Sequence, residues 1–155
     1  MYFCKHGIKL QIMKIIIASD HAGYELKEGI IDHFKNDYEF ENYGPFSSES
    51  VDYPDFAHPV ADKVANGDYE YGILICGTGN GIGMTANKHA GIRAALCWNK
   101  EIAALARQHN NANILVLPAR FITEDNAFQV VKVFFSTAFE GGRHQRRVEK
   151  IDIHK

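Results

Sequence analysis

Residues 74–83 read Leu-Ile-Cys-Gly-Thr-Gly-Asn-Gly-Ile-Gly, an apolar run that ends in a thiol with a glycine-rich turn directly behind it. A thiol placed there can take a carbon-bound proton or attack a carbonyl, because its pKa starts near ~8.5 and falls at a helix N-terminus. Gly77, Gly79, Gly81 and Gly83 let the backbone approach a ligand closely, and the helix that follows aims its amides at an anion. Cys76 beside such a loop points to an enzyme acting on a small substrate that develops negative charge. Plainer readings stand next to this one. The glycines also suit a tight strand-to-helix turn, and a buried cysteine often behaves as a small hydrophobe.

Other candidate groups lie at comparable positions. Asp20-His21 follows an earlier apolar run, and is either a helix N-cap or a second titratable strand tip in the same site. His109-Asn110 lies in Arg-Gln-His-Asn-Asn. A histidine titrates near neutral pH and serves as acid and base, or simply sits at a surface or cap. Arg120 comes just past Pro118-Ala119, and a guanidinium there can fork onto a phosphate. Arg143 and Arg147 are one helical turn apart and can face one anion.

Several alternatives fail on the residues. A dinucleotide fingerprint starting at Gly77 finds Ile82 where its third glycine belongs, and Cys97-Trp98-Asn99-Lys100 offers no acid for a ribose. The phosphate-loop pattern ending in Gly-Lys and a hydroxyl residue is absent. Cys4 and Cys97 read as structural or incidental. His6, His33, His58, His89 and His154 form no constellation, and no metal-ligand spacing is visible.

The elements that must position these groups alternate from end to end. Strand-length apolar runs fall at Lys14–Ser19, Glu39–Tyr43, Tyr71–Cys76, Arg93–Cys97 and Asn113–Leu117. Between them, helix-period segments fall at Tyr24–Lys35, Phe56–Ala65, Ile82–His89, Glu101–Arg107 and Asp125–Phe135, the last capped by Thr123. Gly44 to Asp55 reads as a loop. Strands apolar on both faces and separated by helices predict a parallel sheet covered on both sides. The expected fold is a three-layer α/β/α, Rossmann-like single domain with a five-stranded parallel sheet and a C-terminal helix. That last helix follows Gly141-Gly142, is rich in positive charge, and suits packing on a partner chain.

With 155 residues the chain supports one domain. Residues 1–12 read as an N-terminal extension outside the fold and a poor signal peptide, with Met13 the more natural start, so the domain is 13–155. The 17 Lys+Arg against 19 Asp+Glu imply no broad basic surface for nucleic acid. No apolar run approaches the ~20 residues that span a bilayer. Three widely spaced cysteines without a CxxC pair fit a reducing cytoplasm.

One set of ordered motifs goes further: Ser-Asp-His-Ala-Gly at 19–23, Val-Asp-Tyr-Pro-Asp at 51–55, Ile-Cys-Gly-Thr-Gly at 75–79, Ala-Asn-Lys at 86–88, Gly-Ile-Arg-Ala at 91–94, Arg-Gln-His-Asn at 107–110 and Glu-Gly-Gly-Arg-His at 140–144. Together they resemble the B-type ribose-5-phosphate isomerases of the RpiB/LacAB sugar-phosphate isomerase family, from residue 13 to about residue 150. The resemblance implies an aldose–ketose isomerisation of D-ribose 5-phosphate and D-ribulose 5-phosphate through a cis-enediolate, with neither metal nor cofactor. It implies Cys76 as the base moving a proton between C1 and C2. Thr78 and the amides of Gly77, Gly79, Asn80, Gly81 and Gly83 would hold the enediolate oxygens, as an oxyanion hole does. Asp20 would bind sugar hydroxyls, and His109 would open the furanose ring with Asn110 beside it. His21, Arg120, Arg143 and Arg147 would grip the phosphate. It further implies a homodimer or a tetramer with the site between subunits. Some relatives place a glutamate in the loop as base; Ile82 stands at that position here. Gly83 is often a serine in relatives. Three other readings remain at this point: an isomerase of allose 6-phosphate or another sugar phosphate, a non-catalytic sugar-phosphate-binding module, and a cysteine hydrolase using Cys76 and His109.

Overall fold

The computed structural model describes residues 2–3 and 9–154. Cys4 and His6 lie outside the described residues. Strands β1 (Tyr2–Phe3) and β2 (Lys9–Leu10) pair antiparallel with each other and form a sheet separate from the main one.

The main sheet has five strands: β3 (Lys14–Ser19), β4 (Glu39–Gly44), β5 (Tyr71–Cys76), β6 (Ala94–Leu96) and β7 (Ile114–Pro118). All neighbours are parallel, in the order β4-β3-β5-β7-β6. The three inner strands are apolar on both faces because both faces are covered. Ile15, Ile16 and Ile17 are all fully buried. Each such side chain contributes about 1.5–3 kcal/mol of burial. Edge strand β4 instead alternates, with Glu39, Glu41 and Tyr43 exposed, the charged edge that discourages pairing with other chains.

Among the described residues, α1 (Tyr24–Phe34), α2 (Tyr53–Ala65), α3 (Asn80–Ala86), α4 (Lys100–Asn110) and α5 (Glu124–Ser136) cover the sheet, and α6 (Arg143–Val148) packs on α4. Period-2 alternation of the strands divides the core. Ile17, Ile75 and Leu117 point to Ile30 and Phe34 of α1, Ala103 of α4 and Val130 and Phe134 of α5. Ala18, Leu74 and Val116 point the other way, to Val60 and Ala61 of α2 and Ile82 of α3. The three layers expected from the sequence are present. Among the described residues, no helix is long and apolar enough to cross a membrane.

Boundaries differ from the sequence reading where local chemistry decides them. Helix α2 starts at Tyr53 because Pro54 occupies its first turn, where a missing N–H costs nothing; the sequence pattern alone places this stretch in the loop. Helix α3 starts at Asn80, following Gly79 in the left-handed region at φ +76°. Helix α4 runs on to Asn110 and stops at Asn111, itself left-handed at φ +47°. Asn99 and Thr123 cap α4 and α5 through their side-chain oxygens.

Candidate active site

From β3 the chain passes through α1 to β4 on one side, then returns to place β5 on the other side of β3. The C-terminal ends of β3 and β5 therefore flank the point where strand order reverses, the position at which open α/β sheets bind ligands. Asp20 and Cys76 stand at these two ends. The Asp20 N–H donates to the Ile75 carbonyl at 3.0 Å, which fixes the two strand tips against each other. Asp20 is buried, and its Oδ1 accepts from the Gly23 N–H at 3.1 Å. The carboxylate thus holds the turn ahead of α1 and stays at the strand tip, and the N-cap reading of Asp20 fails because Gly23 is the N-cap residue of α1, with no side-chain cap bond. Cys76 is a free thiol, 4% exposed.

The glycine loop is held closely on three sides. At Gly77, an added Cβ would stand 3.2 Å from Nη1 of Arg120, so the guanidinium lies directly over the loop. The Arg120 N–H also donates to the Gly77 carbonyl at 3.0 Å. At Gly79, a Cβ would fall 2.4 Å from Cδ1 of Leu96. At Gly81, it would fall 2.6 Å from Cζ of Tyr53, whose phenol lies across the loop. Gly83 faces Val116 at ordinary contact distance. The Thr78 hydroxyl is exposed and accepts from the Asn80 N–H at 3.2 Å, leaving its own proton free to donate.

His21 Nδ1 accepts from the Val51 N–H at 3.2 Å. This contact requires the tautomer with its proton on Nε2, and it sets the wall of a cleft of about 500 Å³ lined by Asp20, His21 and residues 50–55. Cys76, Thr78, Asp20, His21, Arg120 and the loop therefore share one edge of the sheet. Tyr53 belongs with them. Sequence reading named its motif without giving it a role; the available signal was a tyrosine beside a helix-opening proline.

The remaining candidates are at the opposite edge. Helices in such a fold run antiparallel to the strands, so the end of α4 lies near the strand starts. Arg107 fixes this: it is buried, and its Nη2 donates to the hydroxyl of Tyr71, the first residue of β5. Cys76 is the last residue of that strand. Six residues of strand hold the two ends roughly 16 Å apart at about 3.3 Å per residue. His109 and Asn110 occupy the last turn of α4. His109 stacks on His144 of α6, with ring centroids 4.3 Å apart. Arg143 and Arg147 are exposed on that same short helix. Within one chain, His109, Asn110, Arg143 and Arg147 are thus gathered together but away from Cys76.

His144 and Glu140 join this second group, with Glu140 Oε2 3.7 Å from His144 Nε2. Burial, then the charges of His109 and Arg143, lower the His144 pKa below its ordinary value. Burial pushes the Cys97 thiol up to about 12, which fits the reading of Cys97 as inert packing. His58 and His89, unassigned from the sequence, form a separate pair at 2.7 Å, and His89 also contacts Asp62 at 3.0 Å.

Residues 15–151 match the family model described as Ribose/Galactose Isomerase. The chain is 51% identical over 140 residues to a probable ribose-5-phosphate isomerase B of Mycoplasma genitalium, covering 88% of this chain and 92% of the relative. It is similar to the crystal structure of a ribose 5-phosphate isomerase from Thermotoga maritima, with a TM-score of 0.89, 52% identity, and coverage of 92% and 99% of the two chains. It is also similar to a structure of the Mycoplasma genitalium enzyme with bound ribulose-5-phosphate, with a TM-score of 0.86, 50% identity, and coverage of 91% and 95%.

Proposed function

This chain belongs to the ribose/galactose isomerase family, and we propose that it interconverts D-ribose 5-phosphate and D-ribulose 5-phosphate through a cis-enediolate. The observation that carries the reading is the pairing of buried Cys76 and Asp20 at the strand-order reversal, beside a loop capped by Arg120. The aldose and ketose are isomers, so no external oxidant or reductant enters.

The residues take the following roles. Cys76 as thiolate removes the proton from C2 of the open-chain aldose, leaving an enediolate across C1 and C2. The same group returns a proton to C1, while the proton on O2 moves to O1. Loop amides and the Thr78 hydroxyl stabilise the oxyanion where charge develops, which strengthens inside a site closed to water. Asp20 orients the hydroxyls and assists the oxygen-to-oxygen transfer. His109 opens the furanose ring, with Asn110 beside it. His21, Arg120, Arg143 and Arg147 hold the phosphate.

A general acid must come within about 3 Å of the proton it moves, and His109 is far beyond that from Cys76 in one chain. The two groups therefore meet across a subunit boundary. A homodimer joins the Cys76 edge of one protomer to the His109 edge of its partner, and a tetramer pairs two such dimers. Unpaired cysteines and a reactive thiol fit a reducing cytoplasm.

The test is incubation with ribose 5-phosphate in deuterated water, followed by NMR. Ribulose 5-phosphate forms with deuterium entering at carbon, and both are lost in Cys76→Ala while phosphate-ligand binding persists. Faster turnover of allose 6-phosphate would reassign the substrate. Absence of turnover and exchange with either sugar refutes the isomerase.

A further inference from the structure

Lysine is almost never fully buried without partners, yet Lys27 of α1 has no exposed surface, and the isomerisation gives it no part. Its ammonium donates to Glu28 Oε1 at 2.6 Å and to Asn42 Oδ1 at 2.9 Å. It also stands 5.2 Å from the ring centre of Tyr24 and 5.8 Å from that of Phe46, within the range of cation–π attraction. Asn42 passes the contact on. Its Oδ1 accepts from the Gly44 N–H at 3.0 Å, and its Nδ2 donates to Glu28 Oε1 at 3.3 Å. This is where β4 leaves its register: Ile17 pairs with Asn42 but Ala18 pairs with Gly44, so Tyr43 is an extra residue, and such a bulge turns the strand. Gly44 takes φ +105° and is closely seated. A Cβ on it would stand 3.2 Å from Phe56 Cε1 and 3.3 Å from Phe46 Cε2.

From Gly44 the chain enters a loop whose residues 46–50 are exposed, so the two ends of the loop set its course. The far end delivers the Val51 N–H to His21 Nδ1. It then leads into α2, whose Tyr53 covers Gly81 and whose Phe56 lies against Gly44. We propose that Lys27 is a positioning residue for this wall of the cleft: its ammonium fixes the exit of β4, and through it the loop that presents Val51 to His21. Methionine, of similar length, would fill the same space without the directed donors. The effect on substrate rests on the isomerase reading, in which His21 holds the phosphate, whereas the placement of Val51 does not.

The experiment follows amide exchange by NMR in Lys27→Met and in Phe46→Ala, the second removing only an exposed ring that touches the ammonium and Gly44. The Val51 amide loses about tenfold or more of its protection in Lys27→Met and a smaller part in Phe46→Ala, while Ile73 and Leu74 in β5 keep theirs. KM for ribose 5-phosphate rises about three- to tenfold in Lys27→Met, the worth of one hydrogen bond. The kcat changes little, as when binding common to ground and transition states is lost. A purely structural role for Lys27 lowers the β5 amides together with Val51. That shared loss, a Val51 amide unaffected in both variants, or a native KM in an active Lys27→Met enzyme overturns the proposal. If Lys27→Met does not fold, the Val51 amide of Phe46→Ala decides alone. Native protein without turnover refutes the isomerase and leaves the Val51 result standing.

Discussion

Subunit complementation tests the division of the site directly. Cys76 and Tyr71 end the same six-residue strand, and Arg107 ties the His109 turn to Tyr71. The roughly 16 Å between these ends follows from about 3.3 Å per strand residue, several times the reach of a proton transfer. Chains carrying Cys76→Ala or His109→Asn alone each lose about 10²- to 10⁴-fold in turnover. A heterodimer of the two holds one site with both defects and one with none. In a randomly assembled mixture about half of the dimers are mixed, and half of their sites are intact, so roughly a quarter of native activity returns under two-fold symmetry. Co-expression with two affinity tags isolates the mixed dimer, which regains about half. The assay is ketose formation from ribose 5-phosphate per chain. A mixed dimer as inactive as its parents refutes the shared site.

Other perturbations read single contacts. Gly23→Ala places a methyl 2.7 Å from Cγ2 and 2.8 Å from the carbonyl oxygen of Ile75, costing about 1–3 kcal/mol by overpacking; urea unfolding measures it, and kcat falls because Ile75 precedes the thiol. Arg107→Met removes donors to the Ala112 and Thr137 carbonyls, costing about 2–4 kcal/mol through orphaned acceptors; a variant as stable as the native chain contradicts the assignment of Arg107 as the tie between α4 and β5. His144 has its pKa lowered by burial and by the His109 and Arg143 charges, so the unfolded chain binds that proton more readily. Its contribution is complete above the ordinary value of 6.5 and is lost as pH falls from there through the folded value. Thermal melts against pH show a declining acid limb, flatter in His144→Asn; an unaltered limb contradicts the sign.

The strands were legible because inner parallel strands carry unbroken apolar runs, and Ile15, Ile73 and Leu115 leave no polar alternative. Helix starts were less legible. Pro54 reads as loop until the first turn of α2 is seen to need no donor from it. Asn80 opens α3 directly after Gly79 turns left-handed, at a position where Leu96 and Val116 leave no room for a side chain. For the site, Asp20 and Cys76 could be placed at one edge from element order alone. The contacts of Tyr53 with Gly81 and of His109 with His144 join residues through packing that no local pattern encodes. The separation of His109 from Cys76 follows from antiparallel helices on parallel strands, a rule that sequence order contains but motif reading passes over.

Strand β5 has a second office as a ruler. It lies in the middle of the sheet, bonded along its length to β3 and β7, and each of its ends lies at a different half of the proposed chemistry. Lengthening it by a residue would flip every following side chain to the other face, and shortening it would break both ladders. The spacing between the two halves is therefore locked by backbone pairing instead of by side-chain choice. Loops in this fold are free to drift in length over evolutionary time, while the distance that would set how two copies dock in the proposed dimer is confined to six residues.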